Sequence, residues 1–321
     1  TYTSLDQLAA QVRAAGVIRV SGSVVADESR YDAQRVVPTW RPSYLADGLV
    51  GPLSAVDVDD GFASFTGGGD VASPQPAVQA ATRFQTALRA AGVQVGGSAA
   101  TGTTPAGAVT VTSIASPPLT AVLGAVLRTS DDTGAELITK ELGRRFGAGA
   151  TTTAGVAVIR ADLAGDGLPV DLLQAVDGSG LDRSDRATCP LVVAALTQAG
   201  PTGPLASMLP VAGKTGTLLR RMTNTPAAGR IVAKTGTLDD VSALSGFVLP
   251  PAPIGAAPPP TAAYPRSPLT FSLIQNGVPA YTTGDAIGDQ IGVALAAYPS
   301  GPDPATLGPL PVSPPPVSPV P

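Results

Sequence analysis

The stretch that most constrains the fold is 231–249. Its first half carries Lys234-Thr235-Gly236-Thr237, and its second half, Val241-Ser242-Ala243-Leu244-Ser245-Gly246-Phe247-Val248-Leu249, alternates in apolar character. A period of two is the mark of a half-buried strand. Strands are predicted at about 231–237 and 241–249, with a third at about 269–275. Helical patterns lie on either side of them. Ser4 and Gln7 have capping-box spacing ahead of a helix over 4–15, whose Leu5, Leu8 and Val12 share a face. A helix over 76–91 turns Ala77, Ala81, Phe84 and Leu88 inward and stops at Gly92. Others are predicted over 118–128, after Ser130 (Ala135, Ile138 and Leu142 inward), and near 152–163 and 188–199. A closing helix over 285–298 has Ile287, Ile291 and Leu295 on one stripe. Strands clustered late among helices predict an α/β chain of the α+β type, with helices packed on an antiparallel sheet.

Earlier in the chain, a strand is predicted over 17–26. Residues 30–62 look irregular, with Trp40, Pro42 and Tyr44 as local anchors. Gly67–Gly69 and the Ser-Pro-Gln-Pro run at 73–76 mark a boundary. The expected organisation is an inserted region over 1–70, a core over 71–300 and a Pro-rich tail over 301–321. A Pro-rich loop over 250–268 separates two strands. The stretch 302–321 holds nine prolines in twenty positions and reads as an extended linker.

Composition narrows the chemistry. The chain has no histidine, which excludes a Ser-His-Asp triad, a Cys-His pair and a His-ligated metal. Any nucleophilic chemistry must use lysine or a carboxylate as its base. Cys189 is the single cysteine, so no disulfide forms within the chain, and it reads as a small buried hydrophobe. Net charge is −4 without a basic run, which argues against a nucleic-acid partner. No stretch reads as a transmembrane segment: seven prolines between 250 and 265 break the one long uncharged region. Export would need a segment upstream of Thr1.

Four residues carry the first candidate site. Lys234 on a strand supplies positive charge without histidine. Gly236 removes a side chain where a substrate backbone can approach. Thr235 and Thr237 offer hydroxyls to a carboxylate, and an edge strand can pair with a peptide main chain. The bland alternative is a solvated lysine before an ordinary turn. A second copy, Lys214-Thr215-Gly216-Thr217, lies twenty residues earlier but leads into Leu219-Arg220-Arg221-Met222 and no strand pair, so it is read as a decoy. Ser130-Asp131-Asp132 precedes a helix. By itself it reads as an N-cap with acidic residues in the first turn; with Lys234 downstream, Ser130 becomes a proton-relay candidate and Asp132 its neighbour. Asp177-Gly178-Ser179-Gly180-Leu181 reads as a tight turn. The lysines are 140, 214 and 234, preceded three residues earlier by Leu137, Val211 and Ile231, so no Ser-x-x-Lys occurs.

In this order the motifs resemble those of the class C low-molecular-mass penicillin-binding proteins, the D-alanyl-D-alanine carboxypeptidase/endopeptidase family. The resemblance extends over about residues 5–298. It includes Gly16–Asp32 with Trp40 and Tyr44-Leu45-Ala46, Leu209–Gly213, Thr225–Arg230 and Ala233–Leu238. It implies a penicillin-binding-protein/β-lactamase-like acyltransferase fold, and an exported cell-wall hydrolase that needs no cofactor. Its partners would be peptidoglycan stem peptides and β-lactam antibiotics. An upstream serine attacks the bond between two D-alanines, its motif lysine acts as base, and Ser130 relays the proton with Lys234 in support. Thr235 and Thr237 hold the terminal carboxylate, and the Thr237 N–H serves the oxyanion hole. The chain departs from that pattern twice. The nucleophile motif is absent, and Asp132 stands where the family usually has Asn, which can donate to a substrate carbonyl as an ionised Asp cannot. A non-catalytic peptidoglycan-binding relative is the alternative. A β-lactamase and a Pro/Ala-rich structural protein are weaker rivals.

Overall fold

A computed structural model describes residues 3–66, 69–250 and 267–298. The N-terminal helix α1 (Leu5–Ala14) starts as its cap spacing requires: the Ser4 hydroxyl accepts from the Gln7 amide at 3.1 Å. The strand expected over 17–26 is instead two short ones, β1 (Arg19–Val20) and β2 (Val25–Ala26), interrupted at Ser21–Ser23. After the short helix α2 (Ser43–Ala46) comes a hairpin not foreseen from periodicity, β3 (Phe62–Thr66) and β4 (Gly69–Ala72). Helix α3 (Pro76–Ala90) has Pro76 in its first turn, and Gly92 follows its end at φ +82, where a glycine is at no steric disadvantage. Two further strands, β5 (Gln94–Val95) and β6 (Ala100–Thr101), pair in parallel with β1 and β2. Ala9, Ala87, Leu88 and Val93 form the small core where α1 meets α3. The expected division near residue 70 is crossed by these pairings.

A helical layer follows: α4 (Leu119–Thr129), α5 (Asp132–Phe146), α6 (Thr152–Gly165), α7 (Cys189–Ala199) and α8 (Pro204–Met208). The expected inward stripe of α5 is corrected. Ala135, Ile138 and Leu142 are only half-buried, and the buried face is Thr133, Glu136, Thr139, Lys140 and Gly143. Its polar groups are matched: Lys140 pairs with Asp32, and Glu136 with the loop at 178–179. Helices α4, α6 and α7 are apolar, yet their buried residues are few: Gly124, then Thr152 and Gly155, then Leu191 and Leu196. Cys189, expected to be buried, is half-buried at the start of α7.

The main sheet has order β7–β8–β9, with β7 (Ile231–Leu238), β8 (Val241–Val248) and β9 (Leu269–Asn276) antiparallel as the alternation predicts. Helix α9 (Asp285–Ala297) covers one face, where Ile231, Ala233, Leu244, Phe271 and Ala296 meet. Val232 and Phe247 point to the other face, against Leu196 and Ala206 of the helical layer. The stripe expected on α9 is also corrected. Ile287 and Ile291 are exposed, while Gly288, Gly292 and Ala296 are buried, because the helix lies so near Met222 and Ile231 that small residues fit there. Most of the Pro-rich loop at 250–268, the Gly67–Gly68 boundary and the tail at 302–321 lie outside the described residues.

Candidate active site

The site lies where the edge strand β7 meets the α4–α5 junction. Alternation along β7 splits its motif between the two sheet faces. Lys234 falls on the Val232 face, toward the helical layer; Thr235 and Thr237 fall on the Ile231 face, toward α9. The first half of β7 is already paired. Ala233 donates to the Pro210 carbonyl at 2.9 Å, and Ala212 to that of Ile231 at 2.9 Å.

Lys234 Nζ donates to Ser130 Oγ at 2.7 Å and to the Thr235 carbonyl at 2.6 Å. Ser130 does not cap α5. It ends α4 in a left-handed conformation, φ 58 and ψ 53, at a cost of about 1–2 kcal/mol for a residue with a Cβ. Asp131 caps α5 instead, accepting from the Gly134 amide at 2.7 Å. This division of labour leaves the Ser130 hydroxyl to the lysine.

Asp132 is the first residue of α5. Burial, opposed by Lys234 and reinforced by Asp131, Asp177 and Glu136, pushes its carboxyl up to about 7. Burial in turn lowers the Lys234 ammonium, and Asp132 opposes that shift. A carboxyl with this value carries a proton for much of the time at neutral pH, and in that form donates a hydrogen bond as Asn does.

Ser130, Asp132, Thr235 and Thr237 line one cleft of about 390 Å³, together with Thr217, Arg221, Tyr281 and Asp285. Nothing crowds Gly236: a Cβ there would meet only Ala243 at an ordinary 3.5 Å. Of the decoy copy, Lys214 is exposed, as its lack of strand context implies, but Thr217 is not idle. Its Oγ1 lies 2.8 Å from Thr235 Oγ1. Sequence reasoning missed this residue, along with Arg221, Tyr281 and Asp285; the duplicated Thr-Gly-Thr was the available signal for Thr217.

The Asp-Gly-Ser-Gly turn is a structural node behind the cleft. Asp177 accepts from Trp40 Nε1 at 2.7 Å and from the Gly180 and Asp182 amides at 2.7 and 2.8 Å. Glu136, fully buried, accepts from the Gly178 and Ser179 amides at 2.6 and 2.8 Å and from Thr152 Oγ1 at 3.2 Å. Two buried carboxylates thus tie the α5 helix, the 177–182 loop and the Trp40 region together.

Comparison with known proteins places the chain in a family. The model of the D-Ala-D-Ala carboxypeptidase 3 (S13) family matches residues 1–67 and 67–298. The D-alanyl-D-alanine carboxypeptidase of Actinomadura sp. (strain R39) is 30% identical over 92% of this chain and 66% of its own length. Carboxypeptidase DacB of Mycolicibacterium smegmatis is 32% identical over 76% of this chain and 54% of its own length. The chain therefore spans less than two thirds of either relative. In fold, penicillin binding protein 4 (dacB) from Haemophilus influenzae superposes with a TM-score of 0.70 at 18% identity, covering 85% of this chain and 72% of that one.

Proposed function

The chain belongs to the D-Ala-D-Ala carboxypeptidase 3 (S13) family, and on that premise we propose that the whole protein is an exported serine D-alanyl-D-alanine carboxypeptidase/endopeptidase. It acts on peptidoglycan stem peptides and is acylated by β-lactams. The observation that carries this reading is the 2.7 Å contact from Lys234 Nζ to Ser130 Oγ, at an edge strand whose Thr235 and Thr237 line the same cleft.

The nucleophilic serine and its base belong to a Ser-x-x-Lys motif, which residues 1–321 do not contain; we place it in a segment upstream of Thr1. The exposed Leu119 of α4 and Phe146 of α5, with the half-buried apolar residues of α6, support that placement, since they are surface for further chain to cover. In the reaction the serine oxygen attacks the carbonyl carbon between two D-alanines. The C–N bond breaks, and the serine proton passes through the motif lysine and Ser130 to the departing amine. Lys234 keeps the Ser130 oxygen poised for that transfer. Thr235 and Thr237 hold the terminal carboxylate, and protonated Asp132 donates to a substrate amide carbonyl. Water then attacks the ester, releasing the shortened peptide and restoring the serine. In this reading the acyltransferase core lies within residues 71–300, 1–70 is an inserted region tied to 76–101 by the β1–β5 and β2–β6 pairings and the α1–α3 contact, and 301–321 is a Pro-rich tail.

The test is intact mass after incubation with benzylpenicillin, on the upstream-extended protein and on 1–321. A stable adduct on the extended protein alone is the expected result. No adduct on either protein would favour a non-catalytic peptidoglycan-binding relative, and turnover without trapping would favour a β-lactamase.

A further inference from the structure

The proposed reaction uses one of the two Lys-Thr-Gly-Thr copies. The other, 214–217, does not form a strand. Gly216–Leu218 is a 3₁₀ turn held by the Leu219 amide donating to the Gly216 carbonyl at 3.0 Å. Gly216 has φ +59, and a Cβ there would lie 2.5 Å from the Arg128 carbonyl oxygen. The turn is therefore pressed against the end of α4, two residues before Ser130, and only glycine permits that approach. Thr215 Oγ1 accepts from the Val211 amide at 3.0 Å, which fixes the turn to the segment lying along β7. Its outcome is the position of Thr217, half-buried in the cleft wall with its hydroxyl 2.8 Å from that of the buried Thr235.

Two hydroxyls in contact share one bond. One of them donates its proton to the other, and the second keeps a free O–H. Whichever direction the bond takes, the pair presents one donor to the cleft, and that donor is polarised by the bond behind it. The other strong donor on this wall is committed. Arg221 Nε binds Asp289 at 2.9 Å, and its terminal nitrogens bind the Asp285 carboxylate and carbonyl, each at 3.1 Å. An anionic group entering beside α9 therefore meets hydroxyls rather than a free guanidinium.

We propose that Thr217 is a specificity-determining residue of the cleft: with Thr235 it forms a two-hydroxyl donor for the terminal carboxylate of the peptide substrate. The first Lys-Thr-Gly-Thr copy then serves the site through its last residue. This inference rests on the D-alanyl-peptide reading above.

The test measures binding to residues 1–321 by calorimetry, using one stem-peptide mimic ending in D-Ala-D-Ala as the free acid and as the C-terminal amide. Wild type should prefer the acid. Thr217→Val should weaken acid binding about tenfold, the scale of one hydrogen bond to a charged group, and the amide, whose carbonyl accepts only a neutral bond, by about threefold or less. Thr217→Ser should restore the preference, which a loss of packing alone would not. Should Thr217→Val fail to fold, Thr217→Ala reads the same ratio. A preference retained in Thr217→Val or Thr217→Ala overturns the role of Thr217 and leaves the functional reading standing. A wild type with no preference for the acid overturns both.

Discussion

Lys234 Nζ and Ser130 Oγ lie 2.7 Å apart although 104 positions separate them in the chain. The contact joins the edge strand to the end of α4, and it singles out one of two identical motifs. In the upstream-extended protein, Lys234→Ala should slow benzylpenicillin acylation by about 10²–10³, the scale of removing one preorganised electrostatic group. Lys214→Ala should leave the rate within about twofold, because Lys214 is exposed and its ammonium stands outside the cleft. Stopped-flow acylation rates for both variants check this, and the reverse order would assign the relay to the wrong copy.

Asp132 should make stability depend on pH. Its folded carboxyl sits near 7, against an ordinary 3.8. Between those values the folded state binds a proton that the unfolded chain has lost, so this group's contribution is full at low pH and falls as pH rises toward 7. Asp57 and Asp185, both raised by burial to about 7, and Asp60, raised to about 6, act in the same direction. Asp132→Asn removes one of these groups. Urea unfolding should find it more stable than wild type at pH 8, with the gap closing by pH 5. An equal gap at both pH values would mean that Asp132 is ionised in the fold. The same substitution should keep or raise penicillin acylation in the extended protein, since Asn donates at every pH.

The parts of the fold legible in the sequence are those governed by a repeating pattern. Alternation located β7, β8 and β9, and Ser4, Pro76 and Gly92 punctuated their helices as capping chemistry requires. The hidden parts are set by partners distant in sequence. The buried face of α5 is polar because it meets loop amides and Asp32, so a search for apolar spacing chose Ala135, Ile138 and Leu142 instead. The buried face of α9 is glycine and alanine because Met222 and Ile231 press close, which leaves Ile287 and Ile291 outside. Strands of two residues, such as β5 and β6, carry no period at all. In the site, Ser130, Asp132 and the Lys234 tetrad were legible as motifs. Thr217 was marked only by the repeated Thr-Gly-Thr, because its place in the cleft depends on a turn that the packing of Gly216 against Arg128 creates.

Glu136 should be a stability residue whose carboxyl shape, more than its charge, is required. Its two oxygens take the Gly178 and Ser179 amides and the Thr152 hydroxyl, and it has no exposure to solvent. Burial, with Asp177 adding to it, raises its pKa, while the two amides lower it. Glu136→Ala strands two half-buried N–H groups and the buried Thr152 hydroxyl and should cost about 3 kcal/mol. Glu136→Gln retains one acceptor oxygen for both amides and should cost about 1 kcal/mol. Chemical denaturation of the two variants separates these values, and equal losses would show that the charge itself holds the loop.

The helical layer should take up apolar probes until further chain covers it. Phe146 is 71% exposed and Leu119 64%. A groove of about 670 Å³ runs between α5 and α6, lined by Leu142, Phe146, Ala154, Val158 and Leu163. An apolar groove with an exposed phenylalanine at its rim is a binding surface for apolar groups. Residues 1–321 should therefore enhance and blue-shift the fluorescence of anilinonaphthalene sulfonate. Val158→Asp should reduce that signal with little loss of stability, because Val158 is only half-buried and a carboxylate there can reach water. The upstream-extended protein should give a weaker signal than 1–321 at equal concentration. Equal signals from the two would mean that the upstream segment leaves this face open, and the apolar helices would then no longer support placing the nucleophile segment against them.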